Sequence, residues 1–160
     1  MTNNLQFAHI EYSIQTKSID VFNIGCDGHC VGCCNPELKN WNQKGLDLNV
    51  VCKKVEELTK KFSNLVERFL LVGGDPVDAY IRYPEQYTEL LFCLNTLYKP
   101  IFLFTRHKLK DIPKELLQQV DYVKTGAYIP ELTVDNNIQF NIKLATSNQN
   151  IYQVDKLLGE

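Results

Sequence analysis

Five short β-prone runs, each closed by a polar or glycine-rich motif, set the limits on what this chain can fold into. They are Ser18–Ile24, Phe69–Val72, Ile101–Phe104, Val120–Lys124 and Ile138–Leu144. Helical stretches alternate with them. Asp47 stands where it can cap a helix whose Leu48, Val51, Val55, Leu58 and Phe62 recur at steps of three and four on one face. A second helix is predicted from about Pro84 to Leu97, burying Tyr87, Leu90, Leu91 and Leu94. A short one follows near Pro113 with Asp111 as a cap, and another short helix ends the chain. Strands alternating with helices predict parallel β–α units, in which ligands gather at the carboxyl ends of the strands. Every polar motif falls at that end: the loop from Gly25, Gly73-Gly74-Asp75-Pro76, Thr105, Thr125-Gly126 and Thr146–Gln149. The fold class expected is therefore α/β, with about five or six mostly parallel strands. Since a complete eight-stranded barrel takes about 250 residues, the 160 residues here predict a sheet that is curved but laterally open, in one domain spanning residues 1–160.

Composition closes off several functions. Hydrophobic residues make up 44% and charged residues 22%, values of a globular chain. Seventeen lysines and arginines against 19 acidic residues leave a net charge of −2, which is no footprint for nucleic acid. The longest uncharged stretches are polar and far shorter than the roughly 20 apolar residues of a membrane span. The start Met1–Gln6 lacks the basic and apolar regions of a signal peptide, so a reducing cytoplasm is the expected location and the cysteines read as thiols or ligands.

Six cysteines occur, four of them between positions 26 and 34. The segment Gly25-Cys26-Asp27-Gly28-His29-Cys30-Val31-Gly32-Cys33-Cys34-Asn35-Pro36 has the spacing C-x-x-x-C-x-x-C with an extra adjacent cysteine. Three readings compete. Disulfides are disfavoured by the compartment, and Cys33 and Cys34 would pair only through a strained link. Structural zinc wants four ligands, usually two separated pairs, and no second pair follows, although His29 or Cys34 can complete a local site. An iron–sulfur cluster held by three thiolates suits a short loop that Gly25, Gly28 and Gly32 allow to fold around a bulky core. Cys52 and Cys93 stand alone in predicted helices as small hydrophobes. His9 and His107 read as surface residues, Trp41 as an aromatic near the loop, and Lys53-Lys54 and Lys60-Lys61 as a solvated helix face.

The cysteine loop after the first predicted strand, with Gly-Gly-Asp-Pro after the second, resembles the radical S-adenosylmethionine (SAM) superfamily. Within it the chain is most similar to the activating proteins of anaerobic (class III) ribonucleotide reductases. Cys33-Cys34-Asn35 followed by Trp41 and Gly45, Leu71-Val72-Gly73-Gly74-Asp75-Pro76, and Ser147-Asn148-Gln149 carry the similarity. The chain departs from that family where Glu11–Lys17 replaces a glycine-rich segment and an arginine. Thr105-Arg106 stands in place of Thr-Gly, Thr125-Gly126 in place of Asp-Gly, and Leu144–Ser147 in place of Arg-Gly-Ser.

The resemblance implies a partial, laterally open (βα) radical SAM barrel. It implies a [4Fe-4S] cluster on Cys26, Cys30 and Cys33, whose open iron takes the amino and carboxylate groups of SAM. Reductive cleavage of SAM would leave a 5′-deoxyadenosyl radical. It further implies that Gly73 and Gly74 line the methionine end with Asp75 among the cofactor-binding residues, that Gly32 and Cys34 flank the ligand Cys33 where backbone groups meet the adenine, and that Thr105 or Ser147 bonds the ribose or carboxylate. The implied partners are the large subunit of an anaerobic ribonucleotide reductase, which would receive a glycyl radical, and a flavodoxin-like electron donor. Neither nucleic acid nor membrane is expected as a partner.

Overall fold

A computed structural model describes residues 4–28, 33 and 36–158. Its strands and helices in chain order are β1 (Gln6–Ser13), β2 (Ser18–Asn23), β3 (Leu46–Asp47), α1 (Leu48–Phe62), β4 (Arg68–Gly73), α2 (Pro76–Arg82), α3 (Pro84–Asn95), β5 (Ile101–Phe104), α4 (Lys114–Leu117), β6 (Tyr122–Thr125), β7 (Ile138–Gln139), β8 (Ile142–Lys143), β9 (Asn150–Gln153) and α5 (Val154–Leu158). Seven strands form one mixed sheet in the order β3-β1-β2-β4-β5-β6-β9. Its centre, β2-β4-β5-β6, is parallel, and both flanks are antiparallel.

Period-two alternation divides the strands between two faces. One row, with Ile19, Val21, Phe69, Leu71, Ile101, Leu103 and Val123, packs under the helices together with Val51 and Val55 of α1 and Tyr87, Leu90, Leu91 and Leu94 of α3. The opposite row, with Leu70, Phe102, Val72, Phe104 and Tyr122, is covered by Ile142, Leu144 and Ile151 from the last third of the chain. The second face is the one that carries the cavity described below.

Several elements differ from the sequence expectation. β1 was not expected at all: its burial is strongest at Gln6 and Phe7 and its outer half is half exposed, which leaves little apolar signal. The run Ile138–Leu144 is not the last strand of the sheet. It is a hairpin, β7–β8, turning at Phe140 and Asn141, whose φ values of 52° and 63° are those of a tight two-residue turn. The Phe140 carbonyl accepts from Arg68 Nη1 at 2.7 Å and its ring meets Tyr122 at 4.8 Å, so packing holds a turn that no glycine announces. The last strand of the sheet is β9, antiparallel to β6. Asp47 occupies the N-cap position of α1, but its carboxylate takes Gln6 Nε2 at 2.6 Å instead of a helix amide. The stretch after Gly74 makes two helices, α2 and α3, because Pro84 opens a new one after Tyr83.

Truncation at the centre of the helix-facing core tests this layering. Leu71→Ala removes a fully buried side chain and should cost about 2–5 kcal/mol in urea unfolding. Ile81→Ala, at a position 57% exposed on α2, should leave the midpoint nearly unchanged.

Candidate functional site

The strands β2, β4 and β5 lie side by side, so the segments following their carboxyl ends meet. The Asn23 carbonyl accepts from the Gly74 amide at 2.8 Å, and the Gly25 carbonyl accepts from the Asp75 amide at 2.9 Å. A side chain at Gly74 would overlap the Gly25 carbonyl, and one at Gly25, where φ is 111°, would overlap the Trp41 ring. The bareness of Gly74 thus first serves contact between the strand end and the root of the cysteine loop. The same loop root is tied to the returning chain, through Gly25 N to the Leu38 carbonyl at 2.6 Å. Trp41 covers it from outside, bonded through Nε1 to Asp27 Oδ1 at 2.8 Å and stacked under the Arg82 guanidinium at 4.6 Å.

Two buried carboxylates brace this junction. Asp75, 2% exposed, caps α2 by accepting from Val77 N at 2.9 Å, and accepts also from Thr105 Oγ1 at 2.8 Å and Arg106 N at 3.0 Å. Asp78, one helical turn on, accepts from Asp27 N at 2.9 Å and Arg106 Nη2 at 2.8 Å, and lies 2.7 Å from His107 Nε2. Burial pushes the Asp75 carboxyl up, and the neighbouring Asp78 adds to it, against the donors from Arg106 and Thr105. Burial opposes ionisation of Asp78 too, but the donors from Asp27, His107 and Arg106 outweigh it and hold that carboxyl below its ordinary value. Cys26 Sγ lies within 4.8 Å of both carboxylates. Every carboxylate oxygen of the pair already has a hydrogen-bond partner, so they brace the loop from beside the thiol.

A cavity of about 460 Å³ opens in front of this junction on the face away from the helices. Cys26 and Cys33 reach its wall together with Gly73, Gly74, Asp75 and Thr105, five of these six sitting at the ends of three adjacent strands or just beyond them. Phe22, Val72 and Phe104 supply apolar wall, and Asp20, Arg106 and Lys124 supply charge. Cys26 Sγ accepts from Gly28 N at 3.3 Å, and burial pushes its thiol up. Arg106 Nε beside it is buried, with no hydrogen-bond partner among the described residues. The same Nε lies 3.7 Å from Asp75 Oδ2, so the guanidinium sets positive charge beside the Cys26 thiol in the cavity wall, which fits a group that carries sulfur and negative charge at this point.

The remaining expected site residues fall out as follows. Gly32, Cys30 and Cys34 lie outside the described residues, as does His29. Thr105 is at the cavity, but its hydroxyl donates to Asp75 and accepts from His107 N at 3.1 Å, so it is already engaged in bracing. Ser147 is exposed and not part of the wall. Gln149 takes the inward position instead, holding the Ala145 and Thr146 amides at 3.1 and 3.2 Å. His107 is not a surface residue: its side chain is 18% exposed and paired with Asp78. Cys52 and Cys93 are half-buried between α1 and α3, where Cys93 Sγ lies 4.0 Å from the Cys52 carbonyl. Asp78, Arg106 and His107 were missed by sequence reasoning. The usable signal was the i, i+3 spacing of Asp75 and Asp78 across a helix start, facing an arginine and a histidine just after a strand.

The protein is thus an α/β fold with a cavity, reached by the thiols of Cys26 and Cys33, at the end of its parallel strand set. The sequence model of the 4Fe-4S single cluster domain family matches residues 17–152, and the chain belongs to that family. No curated protein matches the chain. The centre it is built for is thus an iron–sulfur cluster of the four-iron type. Among the described residues, no helix is long and apolar enough to cross a membrane.

Two measurements check the site. Gly74→Ala places a methyl group against the immovable Gly25 carbonyl, so it should lower stability by about 1–3 kcal/mol and reduce iron retention together. Asp20, on the cavity wall, has its carboxyl raised from 3.8 to about 6, first by burial, against the hydrogen bond from Ser18. The folded protein therefore binds the proton more tightly than the unfolded chain, and this group's contribution weakens the fold as pH rises from about 4 to about 6. Asp20→Asn should stabilise the protein at pH 7, change it little at pH 4, and flatten the unfolding midpoint between them.

Proposed function

We propose that this chain is a radical SAM enzyme, and specifically an activase that generates a glycyl radical on an anaerobic ribonucleotide reductase. One observation supports the reading above others: Cys26, Cys33, Gly73, Gly74, Asp75 and Thr105 all line a single cavity beyond the carboxyl ends of β2, β4 and β5. In this reading the four parallel strands are the core of a partial, laterally open barrel. Cys26, Cys30 and Cys33 hold the [4Fe-4S] cluster, and SAM lies along the wall at Gly73 and Gly74. The cluster and SAM, when bound, supply one-electron reductive cleavage and hydrogen-atom abstraction from a glycine α-carbon.

The chain's own residues bind, orient and exclude water. The Arg106 guanidinium donates beside Cys26, Asp75 and Asp78 keep the loop root fixed, and Phe22, Val72 and Phe104 keep the wall dry. The sheet is not closed on itself, since β3 and β9 are its two ends, which suits a substrate that is itself a protein. A flavodoxin-like protein would supply the electron, in a reducing cytoplasm. A second reading, a small radical SAM enzyme acting on a small molecule or peptide, is favoured by one feature. Asp20 and Lys124 put charge of both signs on the cavity wall, Lys124 Nζ donating to the Thr105 and Gly126 carbonyls at 3.4 and 3.2 Å.

Anaerobically reconstituted protein should be brown and bind about four irons. Cys26→Ala, Cys30→Ala and Cys33→Ala should each lose the iron, and Cys52→Ala and Cys93→Ala should keep it. Stoichiometric zinc without iron would sink the proposal. With SAM and a class III reductase, the reduced protein should give a glycyl doublet in electron paramagnetic resonance that collapses to a singlet when the partner's glycine is α-deuterated. SAM cleavage with no such doublet on any cognate reductase would retain the radical chemistry and transfer the assignment to the small-substrate reading.

A further inference from the structure

Cys52 on α1 and Cys93 on α3 stand apart from the cysteine loop, and neither lines its cavity. The two helices share one core, to which α1 gives Val51 and Val55 and α3 gives Leu90, Leu91 and Leu94. Each cysteine is the chain neighbour of one of these buried residues, Cys52 after Val51 and Cys93 before Leu94. A step of one residue turns a side chain by about 100° around a helix, which moves both thiols off the core and onto the seam between the helices. There they meet. Cys93 Sγ lies 4.0 Å from the Cys52 carbonyl, and the two thiols hydrogen-bond to each other. Both are free and half-buried, so a small reagent can reach them from solvent.

A small hydrophobe at a helix seam accounts for either cysteine singly. It does not account for the inequality that their contact creates. The Cys52 thiol donates to the Cys93 sulfur, which holds the Cys93 thiol below its ordinary value against the opposing effect of burial. The same bond makes Cys52 harder to ionise, and burial adds to it. The first thiolate of the pair therefore forms at Cys93, with a protonated Cys52 beside it. An attacking sulfur and a resolving sulfur stand together.

We propose that Cys52 and Cys93 form a reversible redox site, oxidised by a low-molecular-weight disulfide of the glutathione class to a bond that joins α1 to α3. Cys93 releases its proton and attacks one sulfur of the small disulfide, whose own bond breaks and expels a small thiolate. Cys52 gives its proton to that thiolate and attacks the Cys93 sulfur. The Cys52–Cys93 bond forms, the mixed disulfide breaks, and the second small thiolate takes up the proton that Cys93 released. The protein loses two hydrogens, and the small disulfide is reduced to two thiols. The bond closes a loop that contains β4 and α2, and with them Gly73, Gly74, Asp75 and Asp78 of the site. In a reducing compartment such a bond is transient, which suits a sensor of oxidant rather than a structural staple. The inference uses no residue of the cysteine cavity and stands independently of the function proposed above.

The experiment exposes the reconstituted, iron-loaded protein to glutathione disulfide without oxygen, blocks remaining thiols with N-ethylmaleimide, and digests it without reductant. The peptides carrying Cys52 and Cys93 should emerge as one linked species, two hydrogens lighter than their sum. Dithiothreitol should separate them again, with iron content unchanged throughout. Brief exposure should place glutathione on Cys93 first. Cys52→Ser, which keeps the attacking sulfur and removes the resolving one, should stop at that Cys93 adduct. The inference is overturned if the unaltered protein ends as a glutathione adduct with no link, or if the first adduct falls on Cys52. It is equally overturned if either sulfur links instead to a cysteine of residues 26–34, or if both thiols stay unmodified in a large excess of glutathione disulfide.

Discussion

Burial of the Asp75 carboxylate is the constraint on which the rest of the site depends. A carboxyl group at 2% exposure is tolerable only if its oxygens are fully hydrogen-bonded, and the donors come from three places. They are the first turn of α2, the Thr105 hydroxyl at the end of β5, and the Arg106 amide just beyond it. Satisfying one buried carboxyl group therefore fixes the separation of two strand ends and the direction of a helix. The amide of the same residue binds the Gly25 carbonyl, so the root of the cysteine loop is set by the same node.

Asp78 extends that node into the loop. Its carboxylate holds the Asp27 amide, inside the cysteine segment, and draws Arg106 and His107 over from the far side. The result is a guanidinium beside Cys26, with two buried acids within 4.8 Å of the same thiol. A thiolate in such a place gains from the guanidinium and loses from the carboxylates, and burial leaves the thiol harder to ionise than usual. In the proposed site, iron held by Cys26 would reverse that balance by supplying positive charge.

Most of what a metal centre needs was legible in the chain. Cys26, the Gly-Gly-Asp-Pro turn and Thr105 all lie at or beyond strand ends, and the strands carrying them are neighbours. Less legible was what each residue does there. Gly74 looks like room left for a cofactor, yet the space is filled by Gly25. Thr105 looks like a ligand contact, yet its hydroxyl is engaged with Asp75 and His107. In both cases the competing partner comes from a distant part of the chain, and nothing local signals it.

The sequence by itself determined the alternation of parallel strands and helices from β2 to β6, because period-two and helical patterns are local and strong in those segments. It also carried the iron–sulfur reading that the family match supports, since the spacing of cysteines within one loop needs no tertiary contact to be read. Only the tertiary structure decided the two flanks. β1 has too little apolar burial to announce itself, and β7–β8 turns at Phe140 and Asn141 because Arg68 and Tyr122 hold Phe140 there. It likewise decided that Asp78, Arg106 and His107 belong to the site. A buried acid draws its partners from whichever segment the fold brings near, and that choice is made by strand order, which sequence periodicity does not encode.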